Sequence, residues 1–286
     1  MKKLLGLFVV VLMLGSFTSC GNDEKSSKVK IIDVKLTNEN YAYVVKKGNN
    51  DLVESFNTFL KEIKSNGTFD EIVAKYFEGI GTKKGVDFVT TVETTNDENT
   101  FVVATNCPFE PFEYIGIDGK MYGIDIEIAQ AYAKENNLNL VVKNIDFDAI
   151  FTNVDSDYAD IGMAGITISD ERLELYDFTD TYYDAAQKLV VLENNTAFDN
   201  CKTVEEVEGV LASLNKEKIG YQIGTTGNWY VAGDEGWGYP GFSNVESKGY
   251  KTAQLAIQDI INGQIYGVVV DEAPAEAMVK AINSVN

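Results

Sequence analysis

The sequence predicts an α/β fold built as two lobes. From Phe101 onward, short apolar segments of strand length alternate with segments of helical periodicity, a pattern typical of parallel α/β structure. The 286 residues are too many for one small core, and a hydrophobic content of 45% supplies enough apolar surface for two. The formal net charge of −20 argues against nucleic acid or an anionic lipid surface as the main partner, since both would repel the chain.

The elements can be placed in chain order from their periodicity. The predicted strands span 29–36, 41–45, 101–105, 138–142, 160–164, 218–222 and 266–270. The predicted helices begin at a cap on Asp51 and then span 69–77, 125–136, 252–262 and 273–282. Residues 83–99 are polar with weak periodicity and are predicted to be a linker, and 193–217 is predicted to be a polar connection.

The first twenty residues are predicted to be a signal peptide. Two lysines precede an apolar run at 4–17, which is shorter than the roughly 20 residues that span a bilayer. The run ends in Phe-Thr-Ser-Cys-Gly, which resembles a bacterial lipobox with Phe where Leu is usual. This resemblance implies that Cys20 is acylated and that 21–28 tethers the fold to a lipid anchor. The alternative is an ordinary signal peptide with a chance cysteine.

Cysteine and histidine usage limits the chemistry. Cys107 and Cys201 are predicted to lie in different lobes, so we expect free thiols. The chain has no histidine, which excludes imidazole base catalysis and histidine metal sites. The acidic residues at 155–160 lack the glycine and the distal glutamate of a calcium loop. We therefore expect no metal and no cofactor.

Several sequence segments resemble the polar-amino-acid solute-binding proteins of ABC importers. They are ATNCPFEPFEY at 104–114, YGIDIE at 122–127, AGITISDER at 164–172, DFTD at 177–180, GTTG at 224–227 and VVDEAP at 269–274. The resemblance implies a periplasmic binding protein fold of type II, with two Rossmann-like lobes joined by a two-strand hinge. It also implies a free amino acid as the ligand and an importer permease as the partner.

The order of the segments departs from that family. NYAYVVKKG at 40–48 and the helices after it resemble the segment that closes typical members, yet here they lie at the front. We interpret this as a circular permutation in which 83–99 joins the usual termini, reaching about 60 Å when extended. The rival interpretation is a fragment of a tandem repeat.

The permutation predicts a division into lobes. Lobe I combines 42–82 with 100–184, and lobe II combines 28–39 with 190–286. The chain is predicted to cross between the lobes near 40–41 and 185–189.

Binding a zwitterion needs a fixed cation and a fixed anion in a site that excludes water. Arg172 is the one arginine of the chain, and a guanidinium binds a carboxylate at two points. The resemblance places it as the clamp for the ligand carboxylate, Asp271 as the partner of the ammonium, and Thr167 with the backbone of Ala164 and Gly165 beside them. The alternatives are a surface ion pair for Arg172 and a helix cap for Asp271.

The remaining site predictions concern the turn at 224–227 and the ligand side chain. Thr225 and Thr226 open a helix whose free amides suit a carboxylate. The resemblance implies that Phe109 and Phe147 flank the ligand side chain as aromatic walls. It also places two neutral polar residues, Asn106 and Gln222, beside that side chain. The last two favour a neutral, polar side chain, a preference that Glu110 would reverse if it pointed inward. Both phenylalanines are alternatively core residues, and Trp229 and Trp237 are assigned to packing.

These observations predict a monomeric, extracytoplasmic lipoprotein that binds a free amino acid by hinge closure and delivers it to an ABC permease. It is expected to be a binder and not an enzyme. Two alternatives share the fold: a lipoprotein that reports amino acids to a signalling partner, and a dehydratase of cyclic amino-acid precursors. Arg172 and Asp271 together satisfy a zwitterion and leave no spare catalytic group, which weighs against the dehydratase.

Overall fold

The computed structural model describes residues 28–80 and 99–285, which form two α/β lobes. The predicted signal peptide, Cys20, residues 21–27 of the tether and residues 83–98 of the linker lie outside the described residues. Within them, none of the helices combines the length and the apolar character needed to cross a bilayer.

The strands alternate with helices along most of the chain. The strands are β1 Val29–Ile31, β2 Glu39–Tyr41, β3 Val44–Lys46, β4 Thr100–Thr105, β5 Tyr114–Ile115, β6 Met121–Tyr122, β7 Asn139–Asn144, β8 Ile161–Gly162, β9 Tyr176–Phe178, β10 Tyr183–Ala185, β11 Gln187–Leu192, β12 Lys218–Gln222, β13 Glu246–Tyr250 and β14 Gly267–Asp271. The helices are α1 Asn50–Ser65, α2 Thr68–Glu78, α3 Ile124–Glu135, α4 Phe147–Asp155, α5 Asp170–Leu175, α6 Val204–Ser213, α7 Thr226–Ala232, α8 Ala253–Ile261 and α9 Glu272–Val285.

The sheet of lobe I contains a strand from the N-terminal block. Its order is β7-β4-β8-β3-β9, with β3 antiparallel to both of its neighbours and the other pairs parallel. Helix α1 packs on this lobe because Phe56, Phe59, Leu60 and Ile63 recur at helical spacing and are buried. These side chains share one core cluster with Phe101 and residues that follow it, so the N-terminal block completes lobe I.

The sheet of lobe II also takes a strand from the N-terminal block. Its order is β1-β11-β14-β12-β13, with β1 and β14 antiparallel to β11 and the remaining pairs parallel. Every residue of β14 is buried, as expected for a central strand covered on both faces. Between the lobes, β2 pairs with β10 in antiparallel register, Tyr183 opposite Tyr41. This pair carries the two chain crossings.

The structure corrects several local predictions. Helix α1 begins at Asn50 under an Asn49 cap whose side chain accepts from the Leu52 amide, and Asp51 lies in its first turn. The region 193–217, predicted as a connection, contains α6. Two predicted strands are shorter than expected, 29–36 ending at Ile31 and 160–164 reduced to β8. The segment 41–45 is split between two sheets because the chain changes lobe there.

Candidate functional site

A cavity lies between the lobes. Its lining contains all eleven residues that the sequence predicts for the ligand site, and one more, Glu113. The lining residues are Asn106, Phe109, Glu113, Phe147, Ala164, Gly165, Thr167, Arg172, Gln222, Thr225, Thr226 and Asp271.

The polar lining residues stand where strands end. Asn106 follows β4, and Ala164 follows β8 by two residues. In lobe II, Gln222 is the last residue of β12 and Asp271 is the last of β14. Ligands of open α/β sheets bind beyond the carboxyl ends of the strands, and here two sheets direct those ends at one space.

Arg172 is held on lobe I but contacts lobe II. Ser169 caps the short helix α5 by accepting from the Arg172 amide. The guanidinium Nη1 donates to Thr167 O at 2.6 Å and Nη2 donates to Gly224 O of lobe II at 3.1 Å. These bonds use two of the five N–H donors of a guanidinium. Burial lowers the pKa of Arg172 to about 9, so the side chain stays cationic at neutral pH.

Four aromatic rings surround the Arg172 guanidinium. Its carbon lies 4.6 Å from the ring centre of Phe151 and 4.9 Å from that of Trp237, with Phe147 and Trp229 slightly farther away. Trp229 and Trp237 stack on each other at 4.0 Å and 10°. Aromatic faces attract a guanidinium, most strongly when water is excluded. The sequence analysis assigned both tryptophans to packing, but they form part of the surroundings of Arg172. The only sequence signal for this role is that both follow the turn at 224–227.

Asp271 meets a tyrosine of the hinge. Tyr41, on β2 and fully buried, donates its hydroxyl to Asp271 Oδ1 at 2.5 Å. Burial raises the pKa of Asp271, and the nearby negative charge of Glu39 adds to this effect. A cation placed beside Asp271 would favour its ionised form, as an ammonium group would.

Glu39 supports Thr167 from the hinge. The buried carboxylate accepts hydrogen bonds from the hydroxyls of Thr37 at 2.5 Å and Thr167 at 2.6 Å. Thr167 thus has its side chain fixed by the hinge and its carbonyl bonded to Arg172. Glu39 was not predicted as a site residue, because its contact with Thr167 joins residues 128 positions apart and leaves no local pattern.

Gly165 is held close to Phe109. Its φ is +54°, and a Cβ built there would lie 2.7 Å from the Phe109 ring. Its amide donates to Asp125 Oδ2 at 3.0 Å, and Asp125 also accepts from Tyr43 and Tyr182. Burial raises the pKa of Asp125 to about 7. Position 165 therefore requires glycine both for the backbone conformation and for the space.

Asn106 and Gln222 face each other across the lobes. Gln222 Nε2 donates to Asn106 Oδ1 at 2.8 Å, while Asn106 Nδ2 donates to Ile145 O at 2.6 Å. Some of the hydrogen-bonding groups that were predicted to face the ligand side chain are therefore paired within the protein.

The turn at 224–227 supplies two threonines. Thr225 precedes the first residue of α7, and its hydroxyl donates to Gln222 O at 2.8 Å instead of capping the helix. The Thr226 hydroxyl is buried and lacks a hydrogen-bond partner within the described chain. Buried polar atoms in native proteins are rarely unpartnered, so this hydroxyl is free for a ligand.

Other predictions concern groups outside the cavity. Cys107 and Cys201 are free thiols, as predicted. Glu110 lines an outer groove with Pro108 and Tyr114 instead of pointing into the cavity. Over residues 28–80 and 99–285, no cluster of three or more His, Cys, Asp or Glu side chains is suited to a metal ion.

The fold and cavity define a two-lobed binding protein of the periplasmic type II class. Residues 17–79 and 101–281 match the bacterial extracellular solute-binding proteins, family 3, and the chain belongs to that family. The family is described by solute binding, which confirms the prediction that this chain is a binder and not an enzyme.

Individual relatives cover part of the chain. A probable histidine-binding protein of Neisseria gonorrhoeae is 30% identical over 65% of this chain, which spans about 63% of that protein's length. The L-cystine-binding protein TcyJ of Escherichia coli (strain K12) is 28% identical over 65% of this chain and 64% of its own length. Among solved structures, an ancestral arginine-binding protein bound to arginine is 33% identical with a TM-score of 0.54, covering 64% of this chain and 74% of its own.

Proposed function

We propose that the protein binds a free amino acid in the cavity between its lobes and delivers it to the permease of an ABC importer. Arg172 would hold the ligand carboxylate with the Thr226 hydroxyl, and Asp271 would hold the ammonium. Phe109 and Phe147 would flank the ligand side chain. The similarity to proteins named for histidine, cystine and arginine binding supports an amino acid as the ligand class.

The observation that carries the proposal is the convergence of Arg172 and Asp271 on one buried cavity. They come from different lobes and from positions 99 residues apart, yet each is less than a tenth exposed and both line the same space. A cation and an anion held apart by protein match the two charged ends of a zwitterion. Because the lobes supply one charge each, ligand binding favours the closed arrangement.

Ligands blocked at one end test the proposal. In a thermal-shift screen of the twenty amino acids, at least one should raise the melting temperature of the protein, with an increase that grows with ligand concentration. Its methyl ester lacks the carboxylate and its N-acetyl derivative lacks the ammonium, so neither should stabilise the protein at the same concentration. Stabilisation by both blocked forms would contradict the proposal.

We also propose that Cys20 carries a lipid anchor outside the cytoplasm. The lipobox-like residues at 17–21 support this, as does membership of an extracellular binding-protein family. In a bacterial host fed radiolabelled palmitate, the full chain should become labelled and sediment with membranes. Cys20→Ala should abolish the label, while Cys201→Ala, the matched control, should keep it.

A circular permutation is the arrangement that we propose for the chain. The side chain of Asn283 in α9 accepts from the Val29 amide at 3.1 Å and donates to Val29 O at 2.9 Å, so the start of β1 lies beside the end of α9. The N-terminal block also supplies strands to both sheets. A short linker from Val285 to Lys28 could therefore restore the family's usual order.

A reordered chain tests the permutation. Residues 99–285 followed by a short Gly-Ser linker and residues 28–80 should fold and bind the same amino acid as the natural order. A chain closed by the same linker but opened inside α3 is the matched control, and we expect it to fail. If the reordered chain failed to fold or to bind, as the control does, the proposal would be contradicted.

A further inference from the structure

Glu113 is the cavity residue to which neither the sequence analysis nor the proposed function gives a role. Its side chain is 1% exposed and lines the cavity beside the predicted ligand residues. Neither Oε1 nor Oε2 has a hydrogen-bond partner among residues 28–80 and 99–285. Burying a carboxyl group without a partner is costly, and native proteins rarely do so unless another molecule completes the site.

The backbone fixes where this carboxyl group lies. The Phe109 amide donates to Glu113 O at 2.6 Å, and the Glu113 amide donates back to Phe109 O at 3.2 Å. On the other side, Gly123 packs so closely that a Cβ there would lie 2.7 Å from the Glu113 nitrogen. The turn is therefore held on two sides, and Glu113 is directed at the cavity by the fold.

The charged groups that act on Glu113 are two carboxyl groups, those of Asp125 and Asp271. The ionisable groups that act on it, or on which it acts, are Asp125 of α3, Asp271 of β14, Tyr43 of β3, Tyr182 and Cys107. None of these is a cation, and among the described residues that line the cavity Arg172 is the one basic side chain. If Arg172 takes the ligand carboxylate and Asp271 takes the ammonium, the Glu113 carboxyl remains without a counter-charge.

We infer that Glu113 accepts hydrogen bonds from a cationic group at the end of the ligand side chain, so that the cavity is selective for basic amino acids. This inference rests on the proposed function, because it assigns the third charge of a ligand whose first two charges are held by Arg172 and Asp271. A guanidinium, an ammonium or an imidazolium would supply the missing donor. The inference replaces the neutral side chain favoured by Asn106 and Gln222, which hydrogen bond to each other.

Arginine and citrulline provide the sharpest test because they have nearly the same shape and differ in charge at the side-chain end. By isothermal titration calorimetry, the wild-type protein should bind arginine at least tenfold more tightly than citrulline, since a hydrogen bond to a charged group is worth about 10- to 100-fold in affinity. Lysine and histidine, titrated in parallel, show which cation fits best. Equal affinities for arginine and citrulline, with no preference for lysine or histidine, would overturn the inference.

Two glutamates of the same turn provide the matched variants. Glu113→Gln should reduce the preference for the basic amino acid over its neutral analogue by about 10-fold or more. Glu110→Gln, which changes a residue of the outer groove, should leave that preference unchanged. A Glu113→Gln protein that keeps the wild-type preference overturns the inference, and the wild-type comparison of arginine with citrulline decides the matter if that variant does not fold.

The same titrations separate failure of the inference from failure of the proposed function. Tight binding of neutral amino acids alone would overturn the role of Glu113 and leave amino-acid binding intact. Absence of binding to every amino acid would overturn the proposed function itself, and the inference with it.

Discussion

On one wall of the cavity the Arg172 guanidinium meets two backbone carbonyls and four aromatic rings, whereas on another the Glu113 carboxyl meets no hydrogen-bond donor among the described residues. Both side chains are less than a tenth exposed. The protein holds Arg172 in place and leaves its other N–H donors for a ligand, whereas the Glu113 carboxyl group has no hydrogen-bond partner within the described residues.

This difference separates what every ligand shares from what distinguishes one ligand from another. All free amino acids carry the same carboxylate and ammonium, so rigid partners can be built for them in advance, and rigid partners reduce the entropy that binding costs. Side chains differ, and a buried polar group left unpaired rejects any ligand that cannot pair with it. We therefore expect changes at Arg172 to weaken all ligands and changes at Glu113 to alter their ranking.

Arg172→Lys should produce the largest effect. Lysine retains the charge but cannot bond a carboxylate at two points while also reaching Thr167 O and Gly224 O. Disrupting a buried, hydrogen-bonded charge pair costs about 2–5 kcal/mol, so affinity for every amino acid should fall by at least about 30-fold in calorimetric titrations. Glu174→Gln, at an exposed position of the same helix, is the control and should change affinity less than threefold. Loss of affinity for basic amino acids alone would contradict the division between the two walls.

A change of pH between 4 and 8 should alter the protonation of the carboxyl groups around Glu113 but not the charge of Arg172. Burial raises the pKa of Asp125, beside Glu113, to about 7 and raises the pKa of Glu113 above its usual range. Such groups hold a proton more tightly in the folded state, so their contribution to stability is complete below about pH 4 and is lost as pH rises toward 7. Arg172, with a pKa of about 9, keeps its charge over this interval.

Urea unfolding of the ligand-free protein from pH 4 to pH 8 measures that slope. The free energy of unfolding should fall by a few kcal/mol as pH rises, on account of Asp125, Glu113 and Asp271, whose pKa values are all raised by burial. Asp125→Asn should flatten the dependence between pH 5 and pH 7. A slope unchanged in Asp125→Asn would show that this carboxyl group is not protonated in the folded state.

The sequence predicted the Arg172 side of the cavity better than the Glu113 side. Arg172 was identifiable because it is the one arginine of the chain, and Asp271 because it ends an apolar strand. Glu113 lies in a segment that the sequence analysis identified. Whether its side chain faces the cavity depends on the turn in which its backbone pairs with that of Phe109. Glu113 faces the cavity and Glu110, three residues earlier, faces an outer groove. A loop has no regular repeat from which the two orientations could have been predicted.

The same contrast applies to the fold. Strand 218–222 was predicted with its observed bounds because its apolar residues and flanking turn are local signals. Helix α6 was missed among polar residues, although Thr203 and Glu206 form the reciprocal capping pair that marks a helix start. The prediction of Asp51 as the cap was wrong because Asn49, two residues earlier, caps α1, and both residue types cap well.

Gly165→Ala should displace the Phe109 ring and so weaken the binding of every ligand. The left-handed backbone and the 2.7 Å approach of the Phe109 ring both oppose a side chain, so we expect a loss of about 1–3 kcal/mol in the free energy of unfolding, together with weaker binding of all ligands. Gly48→Ala is the matched control, because Gly48 has a φ of +86° with no atom within 4 Å of a built Cβ. The control should lose about 1 kcal/mol of stability and no affinity. Equal effects in the two variants would show that the contact with Phe109 is unimportant.

Trp237→Ala should produce the smallest change and one confined to the Arg172 wall. The ring belongs to lobe II and lies 4.9 Å from the guanidinium of lobe I, so the contact requires the closed arrangement. Its removal should weaken binding by about 0.5–2 kcal/mol, equally for arginine and citrulline and mainly through faster dissociation. Trp237→Phe retains an aromatic face and should keep most of the affinity. If Trp237→Ala changed the ratio of arginine to citrulline affinity, Trp237 would contribute to the selection of the ligand side chain. Stopped-flow fluorescence of Trp229, which is kept in both variants and lies 5.3 Å from the Arg172 guanidinium of lobe I, measures the dissociation rate.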